Sequence, residues 1–291
     1  MLDRALPVRS FDPELTGRLA ALDRQLRGLG SVLVAFSGGA DSAFLLAAAV
    51  RALGPSRVVA ATAISASLPA AEAEAAGRFA GSLGVAHELP DTDEMNRPGY
   101  RANAADRCYF CKAELLDVLG PVARRLGLEH IATGTNADDS VAGFRPGIRA
   151  AAERGAVTPL RDAGLTKADV RAASRAWGLV TWDKPAAACL SSRVAYGIEI
   201  SPARLARVEA AEVALRAALA GAGIDVLDLR VRDLGPEGAR VELDRALVGV
   251  LTARPDLLAA VSGFSTVAVD PRGFRSGSMN ELLTGQPADL P

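Results

Sequence analysis

Three cysteines and one serine–glycine loop hold most of the reactive side chains of this 291-residue chain. Cys108 and Cys111 form a C-x-x-C pair followed by Lys112. Cys189 stands far along the chain in the run Trp182-Asp-Lys-Pro-Ala-Ala-Ala-Cys-Leu-Ser-Ser-Arg193. A structural zinc ion takes four ligands, and neither of the two histidines, His87 and His130, is well spaced to complete a set with the cysteines. A redox dithiol needs only the C-x-x-C pair. Three thiolates on a 4Fe–4S cluster leave the fourth iron open to a substrate or an extra sulfide. The plain alternative for Cys189 is a small buried hydrophobe.

The loop is Ser37-Gly38-Gly39-Ala40-Asp41-Ser42. An apolar, β-rich run over 32–36 leads into it, and Phe44, Leu45 and Leu46 open a helical pattern at once. A strand, a glycine loop and a helix start together present backbone N–H groups to a phosphate. Two glycines keep Cβ atoms out of the anion's way, and Ser37 and Ser42 add hydroxyl donors. No lysine follows the glycines, so this is not the Walker pattern. Asp41 repels phosphate unless it caps the helix or holds Mg²⁺. The loop resembles the S-G-G-x-D-S pyrophosphate loop (PP-loop) of the N-type ATP pyrophosphatases, which cleave ATP between the α and β phosphates and adenylate an acceptor. An ordinary glycine turn is the bland alternative. A second segment, Gly134-Thr-Asn136-Ala-Asp-Asp139, reads alone as a polar turn. The same resemblance sets it near the adenine and phosphates, with a carboxylate toward Mg²⁺.

Alternating elements must position these residues. Asp12-Pro13 starts a helix whose Leu15, Leu19, Leu22, Leu26 and Leu29 share one face, and Gly30 ends it. The helix after the loop runs to about Leu53, where Gly54-Pro55 stops it. Strands follow over 57–64, 85–89 and 129–133, with helices between them opened by Pro69 and closed by Gly84 and Gly127. This alternation predicts a parallel sheet with right-handed crossovers. Ser65 lies at the end of the second strand, where such sheets bind ligands. The polar stretch 91–107 reads as an irregular functional loop that delivers the C-x-x-C pair to a helix N-terminus, where thiolate is favoured. Phe144-Arg-Pro-Gly147 reads as a turn and Thr158-Pro-Leu160 as extended. Thr166-Lys-Ala-Asp169 opens a helix ending at Gly178. Beyond Ser201-Pro202 come a long amphipathic helix, alternating strands over 226–232 and 239–243, a broken helix over 247–261 and a third strand over 264–269. That pattern predicts a small, mostly antiparallel α+β region, with domains 1–195 and 196–291.

Bulk numbers narrow the partners. Apolar residues make up 49% and aromatics 4%, so a full core must rest on Leu, Val and Ala. A net charge of −1 argues against a broad nucleic-acid footprint. No apolar run is long enough to span a membrane, and the start of the chain lacks a signal-peptide pattern. An odd cysteine count with one C-x-x-C fits a reduced cytoplasm better than a disulfide scaffold.

The two loops, Cys-Tyr-Phe-Cys-Lys112, Phe144-Arg-Pro-Gly147, Lys184-Pro-Ala-Ala-Ala-Cys-Leu-Ser-Ser-Arg193 and the tail Asp270-Pro-Arg-Gly-Phe-Arg-Ser-Gly-Ser-Met-Asn280 occur in that order. Together they resemble the LarE family of ATP-dependent sulfur transferases over roughly residues 12–283. The resemblance implies an α/β PP-loop domain, like the adenine nucleotide alpha hydrolases, with a smaller α+β C-terminal domain for substrate or oligomerisation. It implies adenylation of a carboxylate of pyridinium-3,5-biscarboxylic acid mononucleotide and replacement of the acyl oxygen by sulfur, in nickel-pincer cofactor synthesis for lactate racemase. ATP would sit on Ser37, Gly38, Gly39, Asp41, Ser42, Ser65, Gly134, Asn136 and Asp139, with Mg²⁺ at Asp41 and Asp139. Sulfur would come from a 4Fe–4S cluster on Cys108, Cys111 and Cys189 carrying an extra sulfide. In the family's other version Cys189 gives up its own sulfur and becomes dehydroalanine. Lys112 and Arg193 beside the cysteines could steady negative sulfur or the second carboxylate, or be surface charge. Arg230 and Arg232, alternating on one strand face, could hold the mononucleotide phosphate. A cytoplasmic homo-oligomer taking sulfide or another sulfur donor is expected, with no nucleic-acid or membrane partner. Rival readings are a tRNA thiolase and a nucleotide-sensing module without catalysis.

Overall fold

The computed structural model of the chain describes residues 11–141, 146–185 and 188–283. In chain order its helices and strands are α1 (Pro13–Leu29), β1 (Val32–Ala35), α2 (Ala40–Leu53), β2 (Val58–Ala61), α3 (Ala70–Ser82), β3 (Ala86–Glu88), α4 (Pro98–Arg101), α5 (Arg107–Arg125), β4 (Ile131–Thr133) and α6 (Ala137–Val141). Then follow α7 (Pro146–Glu153), α8 (Pro159–Asp162), α9 (Lys167–Ala176), α10 (Pro202–Gly221), β5 (Leu229–Asp233), β6 (Ala239–Leu243), α11 (Val248–Thr252), α12 (Pro255–Leu258) and β7 (Val267–Val269). Among the described residues no helix is long and apolar enough to cross a membrane.

The chain divides into two compact units. The first comprises the described parts of Met1–Ile64, Ala70–Thr92 and Cys111–Ala187. Its sheet is wholly parallel, in the order β3-β2-β1-β4. Every residue of β1 is buried, because helices cover both faces of the sheet. Val32 and Val34 pack with Leu22, Leu26, Phe44 and Leu45 of α1 and α2, while Leu33 and Ala35 pack with Leu119 and Ala123 of α5. α1 begins where Asp12 accepts the Leu15 N–H at 2.8 Å, and Gly30 ends it. The chain runs from β1 outward to β2 and β3, then returns to place β4 on the other side of β1. The direction of winding therefore reverses between β1 and β4. In an open parallel sheet, the carboxyl ends of the strands at such a reversal form the ligand crevice. This is the α/β architecture of a PP-loop domain.

The second unit comprises Ser65–Pro69, Asp93–Phe110 and the described part of Ala188–Pro291. Its sheet has the order β5-β6-β7. α10 packs Ala211, Leu215 and Leu219 with Leu229, Val231, Val241 and Leu243 of the sheet. Residues between these positions belong to the other face, and they are Arg230, Arg232, Arg240 and Glu242.

Several local expectations change. The sheet of the second unit is not mostly antiparallel: β5 and β6 are antiparallel, but β6 and β7 are parallel. The third strand starts only at Val267, because the Thr266 and Ser265 hydroxyls bond the carbonyls of Glu237 and Pro236. Val157, not Thr158-Pro-Leu160, is the extended residue and bridges Ala132. Pro159 then pre-sets the first turn of α8, closed by Asp162 N–H on Thr158 O. Pro146 and Gly147 open α7 instead of forming a turn, and Phe144 and Arg145 lie outside the described residues. The stretch 91–107 is not irregular throughout. It holds a 3₁₀ turn at Glu94–Asn96 and the short α4, with Tyr100 1% exposed.

Candidate functional site

In the first unit, the loop after β1 meets α2 at Gly39, which sits at the N-cap with no side-chain cap bond. Gly38 adopts φ +72°, a conformation that L side chains rarely take. Ser42 Oγ donates to Gly39 O at 3.1 Å and lies 3.1 Å from Ser37 Oγ, so the two hydroxyls brace the loop across its own turn. Gly134, at the end of β4, packs on the first turn of α2. A Cβ there would lie 2.8 Å from Ser42 N and 2.9 Å from Ser42 Cα. The two glycine segments noted in the sequence are therefore neighbours at the winding reversal. Asn136 is 3% exposed, and its Oδ1 accepts the N–H groups of Asp138 and Asp139. Asp139 Oδ2 accepts the Asn136 N–H at 3.1 Å, so this pair caps α6 reciprocally.

Two lysines reach the loop from far along the chain. Lys167 Nζ lies 2.6 Å from Asp41 Oδ2, and the Lys167 N–H donates to Asp138 Oδ2 at 2.8 Å. Lys184 Nζ donates to Gly38 O at 3.0 Å and to Glu72 Oε2 at 2.6 Å. Asp41 does not cap α2. Its Oδ1 is buried with no hydrogen-bond partner. A carboxylate with one oxygen balanced by an ammonium and the other unpartnered matches the oxygen-donor chemistry of a Mg²⁺ ligand.

In the second unit, Ser65 does not end a strand facing open space. Its hydroxyl donates to Glu94 Oε1 at 2.7 Å, and Ser67 Oγ donates to the same oxygen. Glu94 is 2% exposed.

Cys189 precedes the 3₁₀ turn Leu190–Arg193. Its carbonyl accepts Ser192 Oγ at 2.7 Å and Arg193 Nη1 at 3.0 Å. Arg193 is buried and pairs with Glu212 at 3.0 Å. It also donates to the Ala188 carbonyl. Its guanidinium is thus bound to a carboxylate and to the backbone of Cys189. Arg107, the first residue of α5, is also buried. Burial pulls its pKa down, but electrostatic interaction with Cys189 and Cys108, then with Tyr196 and Tyr100, leaves it raised above the usual arginine value. Tyr196 is raised by burial, with Arg107 opposing and the same two cysteines adding to it. Arg107 and Tyr196 are thus each coupled electrostatically to both Cys108 and Cys189. Cys111 and Lys112 follow on α5, both half-buried and both in the first unit. All three cysteines are thiols. Thiols suit an iron–sulfur cluster chemically, but among the described residues no three His, Cys, Asp or Glu side chains stand together as a metal-binding group.

Arg230 and Arg232 share the polar face of β5, and both are buried. Their surroundings differ. Arg232 pairs with Glu242 at 2.7 Å and reaches Ser278 Oγ and Ser192 O, each at 3.2 Å. Arg230 donates to Leu229 O at 2.7 Å and lies over the Phe274 ring. Burial first, and then repulsion from Arg193, lowers its pKa to about 10. A buried guanidinium so strained by its own charge suits an anion.

The residues not foreseen are Arg107, Lys167, Lys184, Glu72, Glu94 and Glu212. Lys184 lies in the run that ends at Cys189 and Lys167 in the capping box, but no spacing rule directs either to a loop more than 120 positions earlier.

No family model matches the chain. An uncharacterized protein of Synechocystis is 41% identical over 93% of this chain and 99% of its own length. A shorter likeness, 27% identical over 60% of this chain and 66% of the relative, links it to an uncharacterized protein of Methanocaldococcus jannaschii. The pyridinium-3,5-bisthiocarboxylic acid mononucleotide synthase of Lactiplantibacillus plantarum is 33% identical over 93% of this chain and 96% of its own length. Agreement at that level from end to end takes in the glycine loops of the first unit and the cysteine and arginine segments of the second, and by it this chain belongs to the LarE family.

Proposed function

We propose that this chain uses ATP to activate a carboxylate of pyridinium-3,5-biscarboxylic acid mononucleotide and replaces the acyl oxygen with sulfur, twice, for a nickel-pincer cofactor. The observation that carries this reading is the near full-length similarity to the Lactiplantibacillus plantarum synthase. The loop at the winding reversal, with Lys167 and Lys184 beside it, supports the ATP-dependent part.

In the first step a carboxylate oxygen of the substrate attacks the α-phosphorus of ATP. The α–β bridging bond breaks, and pyrophosphate leaves. Backbone N–H groups from Gly38 to Ser42 and the two ammonium groups meet the charge that develops on it. Asp41 and Asp139 would hold Mg²⁺, which supplies further charge neutralisation. In the second step a sulfur nucleophile attacks the acyl carbon, and AMP departs with the former carboxylate oxygen. Arg230, with Arg232 beside it, would hold the mononucleotide phosphate. Residues 1–195 would thus do the activation, and 196–291 would hold the substrate, in a cytoplasmic homo-oligomer.

For the sulfur source we favour Cys108, Cys111 and Cys189 as ligands of a 4Fe–4S cluster, which when bound would supply a sulfide. The competing source is the Cys189 sulfur itself. Each cysteine brings a thiol to the task, and Cys108 and Cys189 have Arg107 in common.

Anaerobic incubation with ATP, Mg²⁺, sulfide and the biscarboxylic mononucleotide tests the proposal. AMP, pyrophosphate and a product heavier by one sulfur-for-oxygen exchange per carboxylate are expected. AMP released with an unmodified mononucleotide, or no AMP with this substrate, would reject it.

A further inference from the structure

We propose that Arg107 is a positioning residue of the sulfur site: it ties the turn after Cys189 to the helix start that carries Cys108, and it sets one positive charge beside both sulfurs. The inference rests on the sulfur-transfer reading above.

Arg107 is 5% exposed and immediately precedes Cys108. Its Nη1 donates to the carbonyl of Ser191, two residues after Cys189, at 2.8 Å. The same nitrogen donates to Asn103 Oδ1. Asn103 is fully buried and takes φ +52°, the single non-glycine residue at positive φ among the described residues. Its Nδ2 donates to the carbonyls of Ala195 at 2.8 Å and Ile198 at 3.0 Å. Backbone strain persists where surrounding contacts over-determine it. Here the carbonyl contacts hold one amide whose oxygen accepts from the guanidinium. A buried hydrogen bond between Tyr100 Oη and Ser191 Oγ pins the same turn from a second direction.

Charge separates Arg107 from its rivals. Arg193 is balanced by Glu212 at 3.0 Å, and Arg232 by Glu242 at 2.7 Å. Arg107 instead meets a neutral amide, a carbonyl and, 5.6 Å away, the Tyr196 ring. Among the described residues no carboxylate pairs with Arg107, and burial limits screening of its charge by water. The planar fork can satisfy two acceptors while leaving the charge in place, which an ammonium does less well.

Alkylation of the reduced, full-length chain tests this without a substrate. Iodoacetate is anionic and iodoacetamide neutral, and both react with the same thiolate, so their rate ratio cancels protonation and reports local charge. Peptide mass spectrometry gives that ratio at Cys108 and Cys189 separately. In the folded chain each ratio should exceed that of the same chain unfolded in urea by roughly fivefold. Arg107→Gln should remove the excess at both cysteines, and Arg107→Lys should keep most of it. Equal folded and unfolded ratios would overturn the proposal, and this comparison needs no variant. So would a folded Arg107→Gln chain that keeps the excess. In the sulfur-transfer assay Arg107→Gln should lower kcat at least tenfold while leaving the KM for ATP unchanged. A wild-type chain that transfers no sulfur yet shows the excess would end the functional reading and leave the charge at the cysteines established.

Discussion

Lys184 donates its ammonium to the carbonyl of Gly38 at 3.0 Å, across 146 positions of chain. That contact puts a cation at a phosphate-type loop whose own sequence has none. Glu72 holds the same ammonium at 2.6 Å, so its position is fixed before any ligand arrives. Preorganised charge of this kind lowers the barrier only where charge develops during reaction. Lys184→Met should therefore lower the rate of pyrophosphate release about a hundredfold, and Lys167→Met comparably. Circular dichroism should be unchanged for both. A rate within twofold of wild type would reduce the lysines to loop supports.

The two glycines Gly39 and Gly134 should fail in opposite ways. A Cβ on Gly39 would meet only Ser37 Oγ, at 3.5 Å, and its φ is −77°. Gly39→Val should fold with wild-type stability but lose AMP formation, because the added methyls would fill the proposed phosphate site. Gly134→Ala meets backbone at 2.8 Å, so the loop or α2 must move. Its melting temperature should drop by several degrees, since about 1 kcal/mol shifts a domain of this size by 2–4 °C. Equal melting temperatures for the two variants would contradict the packing at Gly134.

What could be read from the sequence was local. Asp12 as cap, the buried run 32–35 and the capping box at Thr166 depend on neighbours within four positions, and the structure has all three. The glycine loops were legible for the same reason. The charges around them were not. Lys167 reaches Asp41 and Arg193 reaches Glu212 only through tertiary packing. Arg107 stood in view beside Cys108, yet sequence adjacency favoured Lys112 equally, because it does not say which way a side chain at a helix start turns. Asn103 shows the same limit. An asparagine in a polar stretch reads as loop, whereas here it is fully buried and bonds three carbonyls.

Arg230 and Arg232, identical in type and two residues apart, should separate cleanly. Arg232→Ala leaves Glu242 buried at 0% exposure without its closest cation. Loss of one member of a buried pair costs about 3 kcal/mol or more, so this variant should be markedly unstable to urea. Arg230 carries the opposite strain. Its pKa is lowered to about 10, chiefly by burial, so the charged form is held at a cost. Below about pH 10 folded and unfolded chains both keep that proton, so the penalty is constant there. Above about pH 10 the folded chain gives up that proton before the unfolded chain does, so this group makes stability rise with pH there. At neutral pH Arg230→Met should leave stability unchanged or increase it. Its KM for the mononucleotide should rise tenfold or more, one charge-assisted contact being worth about 1.5–3 kcal/mol. Destabilisation by Arg230→Met with an unchanged KM would move the phosphate elsewhere.

Cys108 distinguishes the two sulfur sources. It shares Arg107 and Tyr196 with Cys189, and one helix carries both Cys108 and Cys111. If the three thiols hold a cluster, Cys108→Ala and Cys111→Ala should be as inactive as Cys189→Ala. Anaerobically prepared protein should then contain iron and sulfide, turn over repeatedly with added sulfide and keep its polypeptide mass. If Cys189 is consumed, turnover stops after one sulfur per chain, the chain loses the mass of H₂S at position 189, and Cys108→Ala stays active. The shared arginine makes one intermediate result informative. Under consumption, Cys108→Ala leaves intact the Arg107 bond to the turn after Cys189, so the single turnover should become no slower. A Cys108→Ala chain that is dead for one turnover as well as for many therefore points to the cluster. Dehydroalanine at 189 in anaerobic, iron-loaded protein after turnover would sink the cluster assignment.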